Sequence, residues 1–112
     1  MKASLGELLA RLPGARTEKW PDGEPFAPAF GHGTMSVEVF APRGTDYQQP
    51  HTQDELYFIM SGRAEFLREG RRSNVEVGDA LFVPANQAHH FEAMSNDFIT
   101  WVVFWGPGGG ER

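Results

Sequence analysis

The feature that most constrains the fold of this chain is a succession of short strand-like segments separated by turn residues. From residue 34 to residue 105, short runs rich in apolar and β-branched residues alternate with turns that contain Gly, Pro, Asn or Asp. Short strands with such turns between them predict an all-β barrel or sandwich. The expected strands are Thr34–Ala41, Glu55–Met60, Arg63–Arg68, a strand ending near Val77, Ala80–Val83, His89–Ala93 and Phe98–Trp105.

A short amphipathic helix is expected ahead of these strands, at Ser4–Leu12, because four leucines fall on one stripe at helical spacing. Ser4 and Glu7 have the spacing of a capping box, and Pro13-Gly14 should end the helix.

The chain divides by composition into three parts. Residues 1–33 are expected to form the N-terminal helix and an extended lead-in, and residues 34–105 the barrel. Residues 106–112 are rich in Gly and are expected to be a flexible tail.

Charge and composition exclude several classes of function. A length of 112 residues fits one domain, and a net charge of −5 argues against nucleic-acid binding. The chain has no cysteine, which excludes disulfides and thiolate metal sites. Without a signal pattern or an apolar run long enough to span a bilayer, no membrane association is expected, and a cytoplasmic location is the default.

Two segments carry residues with metal-ligand chemistry. His51 and Glu55 lie in the stretch Gln49–Gly62, and His89 follows the segment that begins at Gly78. Two imidazoles and one carboxylate with open positions are the composition of non-haem Fe(II) oxygenase sites. Two strand-borne segments can supply such a site if their strands face one cavity.

The same segments resemble the two motifs of the cupin superfamily. The resemblance covers roughly residues 34–105 and implies a small single-domain cupin β-barrel, a double-stranded β-helix of the jelly-roll type. The first motif is matched by Gly44, Gln49-Pro50-His51, Glu55 and Gly62, and the second by Gly78, Pro84-Ala85-Asn86 and His89.

Several positions depart from the family pattern. Gln49 stands where the first histidine usually stands, and Gly44 is one residue closer to it than usual. Asn86 replaces a glycine, and Ala93 replaces the terminal asparagine. Pairing His51 with Gln53 as the His-x-His element instead would break the spacing to the glutamate, so the register with Gln49 is preferred.

The resemblance implies that Gln49, His51, Glu55 and His89 surround one divalent transition metal, such as Fe, Mn, Ni or Zn. A polar site in a barrel that has lost its metal is the alternative. Tyr57 and Phe91 each lie two residues beyond an expected ligand, so each is expected either to line the pocket beside the metal or to pack in the barrel.

Two classes of function follow from this site. The chain is expected to be a metal-dependent enzyme acting on a small molecule, as a dioxygenase, an isomerase or a lyase, or else a non-catalytic module that binds a metal or a small ligand. Leu56, Phe58 and Met60 make the second face of the same strand apolar, which predicts a covering partner and hence a homodimer.

Overall fold

The computed structural model describes residues 1–112, which form eight β-strands and one short α-helix. The predicted all-β fold is therefore confirmed. The helix is α1 (Leu5–Leu9), and the strands are β1 (Phe26–His32), β2 (Met35–Phe40), β3 (Asp54–Ser61), β4 (Arg63–Arg68), β5 (Arg71–Glu76), β6 (Ala80–Val83), β7 (His89–Glu92) and β8 (Ile99–Trp105).

The strands form two antiparallel sheets that enclose one core. The larger sheet has the order β1-β2-β8-β3-β6, and the smaller one has the order β5-β4-β7. The last strand, β8, lies between β2 and β3, which is the kind of crossover that distinguishes a jelly roll from a simple meander. The core between the sheets is largely aromatic, with Phe40 and Tyr57 from the larger sheet meeting Phe66 and Phe91 from the smaller one.

The N-terminal helix is shorter than the sequence predicts. It spans only Leu5–Leu9, and although Ser4 is the N-cap residue, its side chain makes no capping hydrogen bond. The predicted capping box is therefore wrong. Leu8 packs against Ala27 and Val39 on the outer face of the larger sheet. No helix in the structure has the length and apolarity needed to cross a membrane.

The expected lead-in contains a barrel strand that the sequence did not predict. β1 pairs with β2 along its whole length, with a register shift between Pro28 and Phe30. Proline is tolerated in an edge strand and at a bulge, because there its missing N–H costs no ladder hydrogen bond. β1 is such an edge strand, which explains how a proline can lie within it.

Residues 13–25 fold back on themselves before β1 begins. The backbone N–H of Gly14 donates to the carbonyl of Glu24 at 2.8 Å. Gly23 has a φ of +104°, and a Cβ at this position would lie 2.7 Å from Pro13, so only glycine fits. The loop places the ring of Trp20 edge-on to Phe26 at the side of the barrel.

The C-terminal tail is hydrogen-bonded to the segment that precedes and begins β3. The N–H of Gly109 donates to the carbonyl of Thr52 at 2.7 Å, and the N–H of Glu111 donates to Asp54 Oδ2 at 2.9 Å. The tail thus has a defined position in the structure, and its flexibility stays a prediction about motion.

Candidate metal centre

Three side chains from different parts of the chain converge inside the barrel. His51 lies in the loop before β3, Glu55 is the second residue of β3, and His89 begins β7 in the opposite sheet. One ligand atom from each lies within 4.8 Å of the others. Glu55 and His89 are 1% and 4% exposed, so both donors are removed from bulk water.

The orientation of His89 is fixed by the backbone. His89 Nδ1 lies 2.8 Å from the carbonyl oxygen of Gln87. Because a carbonyl can only accept, Nδ1 must carry a proton and donate. Nε2 therefore faces Glu55 Oε1, 2.8 Å away, with a lone pair when the ring is neutral. Metal-binding histidines almost always donate their other ring N–H in this way, to a backbone carbonyl, a carboxylate or a water.

The pKa values of the two histidines are shifted in opposite directions. Burial lowers the pKa of His51, which outweighs the opposing charge of Glu55. Burial also acts to lower the pKa of His89, but the carboxylate of Glu55, 2.8 Å away, together with the Gln87 carbonyl, raises it overall. Metal binding requires both rings to be neutral, so the lowered pKa of His51 favours the ligand form and the raised pKa of His89 opposes it.

The donor set fits a divalent transition metal. Glu55 Oε1 and His89 Nε2 are buried atoms without a hydrogen bond of acceptable geometry, so an ion between them would satisfy both. The three ligand atoms already lie within 4.8 Å of one another, so small side-chain movements would bring them onto one ion. His51, Glu55 and His89 would hold the ion and leave positions open for a substrate.

A tight turn from the second motif holds the first motif in place. The N–H of Asn86 donates to the carbonyl of His51 at 2.7 Å, and the N–H of Ala85 donates to Asp54 Oδ1 at 2.9 Å. Asn86 has a φ of +67°, in the left-handed region that asparagine tolerates better than most other side chains. This explains why asparagine can replace the glycine expected at this position.

The expected fourth ligand, Gln49, is exposed and does not line the cavity beside the three donors. Its neighbour Gln48 lies there instead. The reason is local: residues 47–51 are not a strand, and the N–H of Gln48 donates to Asp46 Oδ1 at 3.0 Å in an Asx-type turn. The alternation of side chains along a strand therefore does not predict where the Gln49 side chain points. In this structure Gln48 lines the cavity beside the three donors.

A buried network that the sequence did not reveal supports Gln48. The carboxylate of Asp46 accepts from the side-chain amide of Gln48 and, at 2.8 Å, from the backbone N–H of Phe91. Burial raises the pKa of Asp46, against the hydrogen bonds that it accepts. The hydroxyl of Tyr57 donates to Gln48 Oε1 at 2.8 Å, so the loop and both sheets are tied together beside the donors.

Tyr57 and Phe91 occupy different environments. Tyr57 lines the cavity that contains His51 and Glu55, and burial raises the pKa of its hydroxyl well above the usual value. Phe91 is 1% exposed and packs against the rings of Tyr57 and Phe66. Phe91 thus belongs to the barrel core and not to the cavity wall.

The cavity beside the three donors has a volume of about 500 Å³. Four of its lining residues, Thr17, Lys19, Trp20 and Glu24, come from the loop at 13–25, and β2 contributes Glu38. Lys19 is the single lysine or arginine among the lining residues. No carboxylate lies within ion-pair distance of its ammonium group, which sits 5.9 Å from the centre of the Trp20 ring.

Glu38 is the functional candidate that sequence reasoning missed. Burial, and the nearby charge of Glu55, raise the pKa of Glu38 to about 7. A carboxyl group with such a pKa can hold or release a proton at neutral pH, as general acids and bases must. The alternating pattern of β2 points away from Glu38, because it assigns the face with Val39 to the interior; the one sequence signal for Glu38 is that it shares a face with Phe40, whose ring is in the core.

Comparison with known proteins agrees with the fold. The family model for the cupin domain, Cupin_2, matches residues 36–105. An uncharacterised protein of Streptomyces coelicolor is 43% identical over 75 residues, which cover 65% of this chain and 71% of that protein. The loop at 13–25 lies outside the residues that the family model matches.

A second relative has a named activity. The dimethylsulfoniopropionate lyase DddQ of Ruegeria pomeroyi is 32% identical over 87 residues, which cover 76% of this chain and 42% of the lyase. Its crystal structure superposes with a TM-score of 0.65 at 27% identity, over 83% of this chain and 52% of that one. A cupin 2 conserved barrel domain protein of Salinispora arenicola superposes with a TM-score of 0.53 at 28% identity, over 78% and 69%. This chain thus spans about half the length of the lyase.

Proposed function

Because this chain belongs to the Cupin_2 family of cupin domains, we propose that it is a metal-dependent enzyme that moves a proton on a small organic acid, as a lyase or an isomerase. The observation that carries this proposal is the carboxyl group of Glu38, which shares a cavity with His51 and Glu55 and has a pKa of about 7. Proton transfer by a positioned group is most effective when its pKa lies near the working pH.

The proposed substrate is an acid because of Lys19. The same cavity is lined by Glu24, Glu38 and Glu55, so the ammonium group, which has no carboxylate partner, favours an anionic ligand together with the proposed divalent ion. The aromatic rings of Trp20, Phe26 and Phe104 would contact the apolar part of such a molecule. The cavity volume of about 500 Å³ lies within the range of small-molecule sites.

The proposed chemistry assigns one role to each group. A divalent ion held by His51, Glu55 and His89 would supply Lewis acidity toward a substrate oxygen. Glu38 accepts the proton from the carbon next to the oxygen-bearing carbon. The electron pair left on that carbon either expels a leaving group from the next carbon, in a lyase, or is reprotonated at a different position, in an isomerase. Tyr57 keeps its proton, because its pKa is raised by burial.

A dioxygenase-like reaction is the second candidate. It is favoured by the donor set itself, since two histidines and one carboxylate with open positions are typical of non-haem Fe(II) oxygenases. The two candidates differ in their need for oxygen, because proton transfer requires none.

The proposal is tested in two stages. The protein is first loaded anaerobically with Fe(II), Mn(II), Ni(II) or Zn(II), and metal content is measured for wild type, His51→Ala and His90→Ala. His90 is the matched control, because its side chain points away from the donors and bonds to Glu92 at 2.8 Å. Wild type and His90→Ala should retain one ion per chain and His51→Ala none. If wild type retains no more metal than His51→Ala, the metal site is refuted.

The second stage measures proton transfer. Metal-loaded protein is incubated anaerobically in D₂O with a panel of small carboxylic acids, and NMR follows deuterium exchange, elimination and double-bond migration. Glu38→Gln should abolish these signals while retaining the metal. In a parallel aerobic incubation of the metal-loaded protein, oxygen consumption at the same rate in wild type and Glu38→Gln would instead support the dioxygenase-like reaction. Metal retention without turnover of any kind would indicate a non-catalytic binding module.

A further inference from the structure

A second cavity, here called the outer cavity, adjoins the cavity of the candidate metal centre at Trp20. It has a volume of about 450 Å³ and lies between the end of α1, the loop at 13–25 and the segments that follow β2 and begin β8. Trp20 is the one residue that lines both cavities. A ligand in the outer cavity would therefore contact neither the three metal donors nor Glu38.

The loop that encloses the outer cavity is held by its own backbone. The N–H of Gly23 donates to the carbonyl of Trp20 at 3.0 Å, and Trp20 is only 8% exposed. Proline fixes its own φ, and three prolines of this loop line the cavity: Pro13, Pro21 and Pro25. The outer cavity is thus preformed, and a preformed site loses little conformational entropy when a ligand binds.

Apolar and aromatic side chains line much of the outer cavity. Leu9 and Leu12 contribute from the end of α1 and the residues just after it, and Ile99 contributes from the start of β8. The ring of Tyr47 lies edge-on to Trp20, with the ring centres 5.5 Å apart. These side chains fit the apolar body of a small molecule, and the two rings favour an aromatic one.

Arg43 is the polar group that selects the charge of the ligand. Its Nη1 donates to the carbonyl of Phe98 at 2.7 Å and to that of Pro42 at 3.0 Å, which holds the guanidinium group in place. No carboxylate lies within ion-pair distance of it. A guanidinium group that is fixed but has no anionic partner is suited to bind a carboxylate through its remaining N–H donors.

Asp22 limits the number of charges on the ligand. It is the single acidic residue that lines the outer cavity, and Arg43 is the single basic one. The two formal charges cancel, so a second negative charge on a ligand would find no cation to pair with. The outer cavity therefore favours a ligand with one carboxylate over a ligand with two.

We propose that the outer cavity binds a small monocarboxylic acid with an aromatic or other apolar body. The carboxylate pairs with Arg43, and the body packs against Trp20, Tyr47 and the leucines at the end of α1. This site does not depend on the proposed reaction, because it contains no metal donor and no proton-transfer group of the candidate metal centre.

The test is isothermal titration calorimetry of the metal-free full chain at pH 7 with three probes. 3-Phenylpropionate has one carboxylate, 3-phenylpropionamide is its neutral analogue, and phenylsuccinate has two carboxylates. Wild type should bind one molecule of 3-phenylpropionate per chain with a dissociation constant below about 1 mM. The neutral probe should bind at least about tenfold more weakly, because it cannot form a charge-assisted pair with Arg43. Phenylsuccinate should also bind more weakly.

Four variants locate the bound probe. Arg43→Met should raise the dissociation constant of 3-phenylpropionate at least about tenfold, and Arg43→Lys should raise it less, because lysine keeps the charge without the planar fork. Thr45→Tyr should also weaken binding, because Thr45 lines the outer cavity and a larger side chain would occupy part of it. Lys19→Met is the matched control, because Lys19 lines the cavity of the metal centre instead, and this variant should bind the probe as wild type does.

Circular dichroism checks that the variants fold, which the exposed positions of Arg43, Thr45 and Lys19 favour. No saturable binding of 3-phenylpropionate to wild type at about 10 mM, or equal affinity of wild type and Arg43→Met, would overturn the proposal. Binding that is lost in Lys19→Met and kept in Arg43→Met would place the probe in the other cavity and would also overturn it. Phenylsuccinate binding more tightly than 3-phenylpropionate would refute the single charge of the ligand. Because the protein is metal-free in this test, its outcome is separate from that of the metal and proton-transfer experiments.

Discussion

His89 Nε2 lies 2.8 Å from Glu55 Oε1, and neither of these buried atoms has a hydrogen bond of acceptable geometry. Because the Gln87 carbonyl requires a proton on His89 Nδ1, a neutral ring directs a lone pair at a carboxylate oxygen. Two lone pairs at that distance repel each other. The arrangement therefore needs a positive charge between the two atoms, which either a proton on Nε2 or a metal ion can supply.

Competition between a proton and a metal predicts how metal affinity depends on pH. The pKa of His51 is lowered by burial, so this ligand loses its proton at a lower pH than an ordinary histidine. The pKa of His89 is raised above its usual value of 6.5, chiefly because Glu55 outweighs the effect of burial, so His89 must release its proton when a metal binds. Below that raised pKa, the dissociation constant for Zn(II) should rise about tenfold for each unit of pH lost.

Chelator competition between pH 5.5 and 8, with about one proton released per ion, checks this dependence. In the metal-free protein, the raised pKa of His89 makes the folded state more stable at low pH than at high pH. The stability that protonated His89 contributes is fully present below its unfolded-state pKa and is lost as pH rises through its folded-state pKa. A Zn(II) affinity that stays constant from pH 6 to pH 8 would contradict the assignment of His89 as a ligand.

Replacement of Gln48 and of Gln49 should have different effects, although the two residues are neighbours. Gln48→Ala leaves the buried hydroxyl of Tyr57 without its acceptor, which should lower the free energy of unfolding by about 1–3 kcal/mol. Gln49 is exposed, so Gln49→Ala should change it by less than about 0.5 kcal/mol and serves as the matched control. Urea unfolding measures both.

Metal affinity of the same two variants decides which glutamine stands beside the ion. We expect Gln48→Ala to weaken metal binding and Gln49→Ala to leave it unchanged. The reverse order would show that the loop rearranges when the metal binds and that Gln49 takes the position expected from the family spacing.

The sequence predicted strand bounds correctly where turn residues flank a strand on both sides. Arg63–Arg68 and Ala80–Val83 have the predicted bounds, because turn residues limit each strand at both ends. β1 was missed because Pro28 and Gly31 are typical of a loop, and only pairing with β2 makes the segment a strand.

The sequence predicted the metal ligands of the candidate site but not its proposed proton-transfer group. His51, Glu55 and His89 follow from motif spacing. Glu38 does not, because the apolar face of β2, which includes Val39, packs under α1, while the face with Glu38 lines the cavity. The alternating sequence pattern predicts that the apolar face of a strand points into the barrel. In β2 the opposite holds, because the barrel contains a polar cavity that the face with Glu38 lines.

Asn86 should tolerate glycine but not a β-branched residue. Its φ of +67° is permitted for glycine and strained for valine, and its N–H fixes the carbonyl of His51. Asn86→Gly should keep the free energy of unfolding within about 0.5 kcal/mol of wild type, whereas Asn86→Val should lower it by about 1–3 kcal/mol. Equal stability of the two variants in urea would show that the turn does not require the left-handed conformation.

Glu38→Gln should stabilise the metal-free protein at alkaline pH while removing the proposed activity. Glu38 has a folded-state pKa of about 7, above its unfolded-state value of 4.5. Between these two values the folded state binds a proton that the unfolded state has released, so wild-type stability falls as pH rises from about 4.5 to about 7 and stays low above that range. A shift of this size corresponds to at most about 3 kcal/mol.

Glutamine has nearly the same shape and no charge to bury, so the variant should lack this fall in stability. Urea unfolding of the metal-free protein at pH 4.5 and pH 8 measures the difference: the two proteins should be similar at pH 4.5, and the variant should be more stable at pH 8. A variant that is no more stable than wild type at pH 8 would mean that the pKa of Glu38 is not raised. In that case Glu38 would lose its basis as the proposed proton-transfer group, since an ordinary carboxyl group is a weak base at neutral pH.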